Sequence, residues 1–317
     1  MNYRSITQLA RLVDQHIGNI PRSVDLIVGV PRSGMLLANM IALKLNLPLT
    51  DLHSFVENRP LRGGTTRVSP RMQLRSPHEA RHVLVVDDSV ALGRSIALAR
   101  EVMATADVSM PMTWCVAFVA PGVESLVDLY FESVPFPRVF EWNVMHHPLL
   151  SSFCVDIDGI LCRDPLAHEN DDADAYIGFM SGVAPLLSPS FPIGHLVTSR
   201  LEKYRGHTEQ WLAGAGISYK KLHMLDCPDA QTRRRLKLHG SFKAKVYREQ
   251  RDAQMFIESE VQQAEEICRL SGKAVLCLPE QRLYQPGLSY QHARRRAGAL
   301  YGRIKHKLKA LGVVAPQ

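Results

Sequence analysis

Hydrophobic and polar positions alternate along this chain at two different periods. Over residues 5–20 the apolar positions Ile6, Leu9, Leu12, Val13 and Ile17 recur at helical spacing, and Pro21 closes the segment. DLIVGV (25–30) is a short unbroken apolar run, which predicts a buried strand; PRSG follows as a turn and MLLANMIALKLNL (35–47) as a helix. The same strand, glycine turn and helix recur at HVLVVDDSVALGRSIALAREVM (82–103), and MTWCVAFVAP and VDLYFESVPFPRVFEW supply further strands. Apolar strands alternating with helices predict a parallel sheet covered on both faces. Between the two units lies ENRPLRGGTTRVSPRMQLRSPHEA, rich in Arg, Gly and Pro, which predicts a loop over a site rather than part of the core.

The proline-marked HHPLL (146–150) leads into a new apolar strand, SFCVDIDG, and a second α/β series begins there. It runs through the strand GHLVTSR (194–200), a helix in EKYRGHTEQWLAGAG, the strand YKKLHML, a helix around FKAKVYREQ, the strand AQMFIESE, and EEICRLSGKAVLCL. The predicted fold class is α/β: two Rossmann-like parallel-sheet domains, 1–148 and 149–282, followed by a basic helical tail, 283–317. A chain of 317 residues suits two domains of ordinary size. There are no internal repeats.

Composition changes this picture little. Six cysteines at 115, 154, 162, 227, 268 and 277 show no CxxC pair or zinc spacing, which argues against a disulfide framework or a structural metal. No run approaches the roughly 20 apolar residues that span a bilayer, so a cytoplasmic protein is expected. The formal charge of +7 is local in origin. From Gln291 on there are seven basic residues and no acidic ones, so no nucleic-acid partner is implied. In that tail Leu300, Ile304, Leu308 and Leu311 fall on one helical face among the bases, a pattern suited to an anionic membrane surface or to docking on an acidic protein surface.

Two places carry candidate chemistry. In the first, Asp87 and Asp88 stand at the expected end of an apolar strand, before the small-residue turn ALGRS. In open parallel sheets ligands bind beyond the carboxyl ends of strands, where helix N-termini offer unpaired N–H groups to anions. Acids facing hydroxyls beside amides facing a phosphate would suit a ribose 5-phosphate; plain helix caps are the alternative. The stretch resembles the phosphoribosyl-pyrophosphate signature of the type I phosphoribosyltransferases. That resemblance implies that Asp87 and Asp88 hold the ribose 2- and 3-hydroxyls and that Ala91, Leu92, Gly93, Arg94 and Ser95 form the phosphate loop. Ala91 and Leu92 replace the usual threonines, and Arg94 adds a charge. GVPRSG (29–34) is similar to the family's pyrophosphate loop, so Arg32, Ser33 and Gly34 are expected to meet the leaving diphosphate, with magnesium as cofactor. Arg62, Gly63, Gly64, Thr65 and Arg67 on the long loop would close over the site.

The second is FCVDIDGILC (153–162), where two acids one residue apart project to the same side of an extended chain and can share a cation. It resembles motif I of the haloacid dehalogenase superfamily of phosphatases. The resemblance implies Asp156 as nucleophile, Asp158 as general acid/base, Thr198 as phosphoryl ligand, Lys243 as the neutralising lysine with Lys245 as second choice, and Asp156, Asp158 and Glu258 as the Mg2+ set, Glu260 being the alternative to Glu258. Ser259 stands where the family usually has an acid. Some thirty-five residues separate Asp158 from the next strand, room for a small cap only, and the acidic HENDDADAY within it reads as a solvated loop. Phe140 and Trp142 read as core aromatics, or as a stacking surface for a base or sugar.

Joined, the two resemblances point to an enzyme that transfers 5-phosphoribosyl from phosphoribosyl pyrophosphate and then removes the 5-phosphate. This is similar to the dual-domain ribofuranosyltransferases of bacterial surface-polysaccharide synthesis, which implies a glycan acceptor, lipid-linked at the inner membrane face in the fullest form of the reading. Two alternatives stay open: a nucleobase phosphoribosyltransferase fused to a 5-nucleotidase, and a non-catalytic sensor of phosphoribosyl pyrophosphate.

Overall fold

The structure is a computed structural model that describes residues 1–62, 74–170 and 172–287. Gly63, Gly64, Thr65 and Arg67 of the long loop, and the basic segment with Leu300, Ile304, Leu308 and Leu311, lie outside the described residues. The chain divides into two compact units, Asn2–Trp142 and the residues from Asn143 on together with Met1. The break falls a few residues before the expected boundary at 148. Val144, Met145 and Leu150 are buried, and the Met145 carbonyl accepts from Ser190 N–H at 3.2 Å, which ties the linker to the second unit.

The first unit runs β1 (Asn2–Arg4), α1 (Ile6–His16), β2 (Leu26–Gly29), α2 (Gly34–Leu45), β3 (Leu49–Asp51), α3 (Leu52–Val56), β4 (Val83–Val90), α4 (Arg94–Ala104), β5 (Met112–Val119), β6 (Leu129–Ser133) and β7 (Arg138–Phe140). α1 starts where it does because Ser5 and Gln8 form a capping box: Ser5 Oγ accepts from Gln8 N–H, and Gln8 Oε1 accepts from Ser5 N–H. Its predicted last turn is a 3-10 turn, Ile17–Asn19.

Five strands form a parallel sheet in the order β3-β2-β4-β5-β6. β7 leaves it and pairs with β1, so only the first half of VDLYFESVPFPRVFEW joins the main sheet. Burial on both faces explains the unbroken apolar runs. Ile27, Leu84, Val86 and Cys115 pack with Leu9, Val13, Leu37 and Ile41 of α1 and α2. The alternate residues Leu26, Val28, Val83 and Val85 pack with Phe55, Ile96, Ala99 and Met103 of α3 and α4.

The second unit runs β8 (Phe153–Val155), α5 (Asp174–Gly182), β9 (Ile193–Leu201), α6 (Arg205–Gly214), β10 (Tyr219–Leu225), α7 (Ala230–Arg235), α8 (Leu238–Glu249), β11 (Met255–Glu258), α9 (Val261–Ser271), β12 (Val275–Cys277) and β13 (Arg282–Tyr284). Its sheet has the order β10-β9-β8-β11-β12-β13, parallel except for the antiparallel edge strand β13. On one face Cys154, Val197, Phe256 and Val275 pack against Ala244 and Tyr247 of α8 and Ala264 and Ile267 of α9. The two expected α/β parallel-sheet series are therefore both present. The six cysteines are free, and no helix among the described residues is long and apolar enough to cross a membrane.

Each sheet has one place where the winding reverses, and there the strand ends diverge and leave a crevice. In the first unit that place lies between β2 and β4; in the second, between β8 and β11. Each candidate acid pair sits at such a place.

The acidic insertion differs from the expected solvated loop. Glu169 pairs with Arg163, and the Asp172 carboxylate accepts from Tyr204 Oη–H at 2.8 Å and Ala230 N–H at 2.9 Å. Asp172 thus ties the insertion, which carries α5, to the β9–α6 and α7 ends of the unit, while Glu169 closes a contact within the insertion itself.

Candidate active sites

In the first unit the chain brings its two glycine turns to one crevice. β2 pairs with β4 only as far as Gly29 and Val86, where Val30 N–H donates to the Val86 carbonyl. β5 follows β4 four residues further, to Val90. Asp87 and Asp88 are thus inside β4 rather than beyond its end, a correction to the sequence expectation. They still reach the crevice because β2 has already turned away into the Val30–Ser33 loop. The Pro31–Arg32 peptide is cis. Arg32 is exposed, and Gly34 opens α2 against β4 so closely that a Cβ there would lie 2.7 Å from the Val86 carbonyl and 2.8 Å from Asp87 Cα.

The two acids have different surroundings. Asp88 is buried, and both its oxygens are held: Ser33 Oγ–H donates to Oδ1 at 2.9 Å and Trp142 Nε1–H to Oδ2 at 2.8 Å. A carboxylate has about four lone-pair sites, so two remain for a diol. Asp87 Oδ1 accepts from Asp88 N–H at 2.8 Å. Burial, and then the charge of Asp88, push the Asp87 carboxyl up to about 8. Trp142 is itself fixed in a stack, with Phe140 at 5.1 Å and Phe118 at 6.1 Å between ring centroids. The expected choice between core packing and a ligand surface therefore has a third answer: the ring packs, and its N–H reaches the site.

Gly93, at φ +80°, turns the chain into α4, a conformation that favours glycine. Ala91 is half-buried and Leu92 is 75% exposed, while Arg94 and Ser95 stand exposed in the first helical turn. The first amides of a helix lack intrahelical partners, and such ends are suited to anions. One crevice thus assembles a buried carboxylate, a helix N-terminus and a second glycine turn carrying Arg32. Residues 2–146 match the family model described as phosphoribosyl transferase domain.

These residues are a phosphoribosyltransferase domain. Solved structures similar to the chain include a purine phosphoribosyltransferase from Pyrococcus horikoshii Ot3, at 18% identity over 44% of this chain and 92% of that one, TM-score 0.32. They also include the Helicobacter pylori xanthine-guanine-hypoxanthine phosphoribosyltransferase, at 18% over 45% and 92%, TM-score 0.32. The orotate phosphoribosyltransferase of Aeropyrum pernix is a third, at 22% over 40% and 70%, TM-score 0.28. No curated protein matches the chain.

Outside the phosphoribosyltransferase domain, the second unit builds its own site at the β8/β11 crevice. Asp156 follows β8, Glu258 ends β11, and Lys243 reaches both from α8: its Nζ donates to Asp156 Oδ2 at 2.6 Å, Glu258 Oε2 at 2.8 Å and Gln263 Oε1 at 2.8 Å. Lys245, two residues on, is exposed, and Glu260 caps α9 through the N–H groups of Gln262 and Gln263. Thr198 is fully buried in β9 and lines the same cavity of about 320 Å³. Gly159, at φ +77°, brings the loop so near β11 that a Cβ would lie 2.3 Å from Ser259 Oγ. A larger acid in place of Ser259 would press on this turn.

Asp158 departs from expectation. Arg200 grips it with Nη2 at 2.6 Å from Oδ1 and Nε at 3.1 Å from Oδ2. Burial opposes its ionisation, but the Arg200 guanidinium outweighs burial and holds the carboxyl below the usual range. For Asp156 burial prevails over the pull of Lys243, and its carboxyl lies above the usual range. Of the expected magnesium set, Asp156 and Glu258 converge on Lys243 while Asp158 is turned to Arg200. Among the described residues no three His, Cys, Asp or Glu side chains stand together as a metal-holding group. Trp142 Nε1, Arg200 and Gln263 are site groups that the motifs do not signal, although Arg200 stands two residues past Thr198 in TSR.

Proposed function

We propose that the first unit transfers a 5-phosphoribosyl group from phosphoribosyl pyrophosphate to a hydroxyl of a glycan acceptor, and that the second unit removes the 5-phosphate to leave ribofuranose. The observation that carries the transfer step is the crevice between β2 and β4, where Asp88, with two lone-pair sites free, stands between the Arg32 loop and the α4 N-terminus. In that step the acceptor oxygen bonds to C1, the C1–O bond to diphosphate breaks, and diphosphate leaves with the electron pair while the acceptor proton passes to solvent. Arg32 and the amides of its loop oppose the leaving charge; Asp88 fixes the pentose so that C1 faces the acceptor. Magnesium, bound with the donor, would neutralise the diphosphate.

For the second step Asp156 is the nucleophile toward phosphorus, with Lys243 beside its Oδ2 and Thr198 in the same cavity. The P–O5 bond breaks, the sugar alkoxide takes a proton, and water releases phosphate from the aspartyl ester. Asp158 lines the cavity as the expected proton donor, against the pull of Arg200. Linking both steps in one chain raises the local concentration of the phosphorylated intermediate and removes the product of a reversible transfer.

The test is incubation of the full chain with phosphoribosyl pyrophosphate, magnesium and either a glycan acceptor or a panel of nucleobases. Diphosphate release with glycan supports the reading. Release with a base alone replaces the acceptor with a nucleobase, and donor binding without release makes the domain a sensor. With Asp156→Asn the glycan product should keep its phosphate in the mass spectrum. A fully dephosphorylated product from that variant removes the second unit from the scheme.

A further inference from the structure

The cavity beside Asp156 holds a cation that no carboxylate among the described residues accounts for. Lys243 is already shared between Asp156 and Glu258. His239 is neutral at pH 7, since burial, and then the positive charges of Arg233 and Lys243, push it down to about 4. Arg233 stands apart. It is 9% exposed, and among the described residues no carboxylate pairs with it. Its Nη1 donates to the Ser199 carbonyl at 2.6 Å, while its Nε–H is buried with no acceptor. The Ser199 hydroxyl, too, is buried without a partner among the described residues, and both residues line the cavity.

A guanidinium cannot shed its proton to escape burial, and buried charges are otherwise paired. Two residues with unmet donors therefore line one void, and one of them brings to its wall a charge that no described carboxylate pairs. Their complement is an anion with several acceptor oxygens. The void also meets Thr198 and Asp156, which places that anion against a carboxylate that can attack it.

We propose that Arg233 and Ser199 form the anion-binding wall of this cavity, and that the anion is the phosphoryl group of a sugar phosphomonoester. Lys243, neutralised by its two carboxylates, orients Asp156, and Arg233 supplies the charge that retains the substrate. The inference rests on the phosphatase reading for the identity of the ligand, but the anion site itself stands on the unpaired charge of Arg233 at the cavity wall.

The test is calorimetric titration of the full chain with inorganic phosphate and with ribose 5-phosphate, for wild type, Arg233→Met, Arg233→Lys and Ser199→Ala. Arg233→Met is expected to weaken phosphate binding about tenfold or more, Ser199→Ala a few-fold, and Arg233→Lys to recover part of the loss. For ribose 5-phosphate hydrolysis the same loss should fall on KM, with kcat much less affected. Removing an unpaired buried charge should leave the melting temperature of Arg233→Met unchanged or raised, which separates a ligand role from a structural one. Phosphate binding that needs Arg233 without any hydrolysis keeps this inference and overturns the phosphatase reading. Hydrolysis whose KM is indifferent to Arg233, or a wild-type chain that binds no phosphate at millimolar concentration, overturns the inference.

Discussion

Trp142 Nε1–H donates to Asp88 Oδ2 at 2.8 Å, across 54 residues of chain. The bond fixes the plane of a buried carboxylate that Ser33 Oγ–H holds from its other oxygen. Trp142→Phe keeps the stack with Phe140 and removes only the donor. Losing a hydrogen bond to a charged group is worth about 1.5–3 kcal/mol, so the KM for phosphoribosyl pyrophosphate should rise roughly tenfold or more, with kcat little changed. Steady-state kinetics check this, and an unaltered KM would show that the indole merely fills space.

Asp87 gives a pH signature in the donor-free protein. Its carboxyl is raised to about 8 by burial and by Asp88, so the folded chain keeps a proton that the unfolded chain releases near pH 4. Its effect on stability is therefore nil below the ordinary carboxylate range and increasingly unfavourable as pH climbs toward 8. Asp87→Asn should melt higher than wild type at pH 8, with the gap closing near pH 4. Differential scanning calorimetry at both pH values reads the gap; one that widens in acid would reverse the assigned direction.

Gly34 allows α2 to start against β4. The Cβ of Gly34→Ala would sit 2.7 Å from a backbone carbonyl, and backbone cannot swing aside as a side-chain tip can. The substitution should destabilise the first unit by about 1–3 kcal/mol and impair donor binding with it. Urea unfolding and donor titration on the same sample test the pair of effects.

Arg200 and Asp158 should behave as a unit. Arg200→Met leaves Asp158 without its partner in a largely buried place and is expected to cost about 3 kcal/mol, whereas Arg200→Met combined with Asp158→Leu should recover most of it. A double-mutant cycle from urea denaturation measures the coupling. Additive losses would mean that the pair contributes little.

Asp156 must be ionised to attack phosphorus, and burial holds its carboxyl above the usual range despite Lys243. Hydrolysis of ribose 5-phosphate should therefore rise with pH from 5 through neutrality. A profile that falls over that span would count against Asp156 as the nucleophile.

The hydrophobic periods of the sequence determined the two α/β series and the placement of each acid pair beside a sheet crevice. Those features are local: a doubly buried strand needs an unbroken apolar run, a helix entering against a strand needs glycine at Gly34, and the positive φ of the turn into α4 favours glycine at Gly93. What each acid touches was settled only by tertiary structure. Asp88 meets Trp142 because β7 leaves the main sheet to pair with β1 and the chain then returns its aromatic residues to the crevice. Arg200 takes Asp158, and Arg233 is left with unmet donors, through the register of β9 beside β8 and the approach of α7. Pairings of this kind depend on ångström-scale placement of segments far apart in the chain, and a pattern of residue types along one dimension carries no record of it.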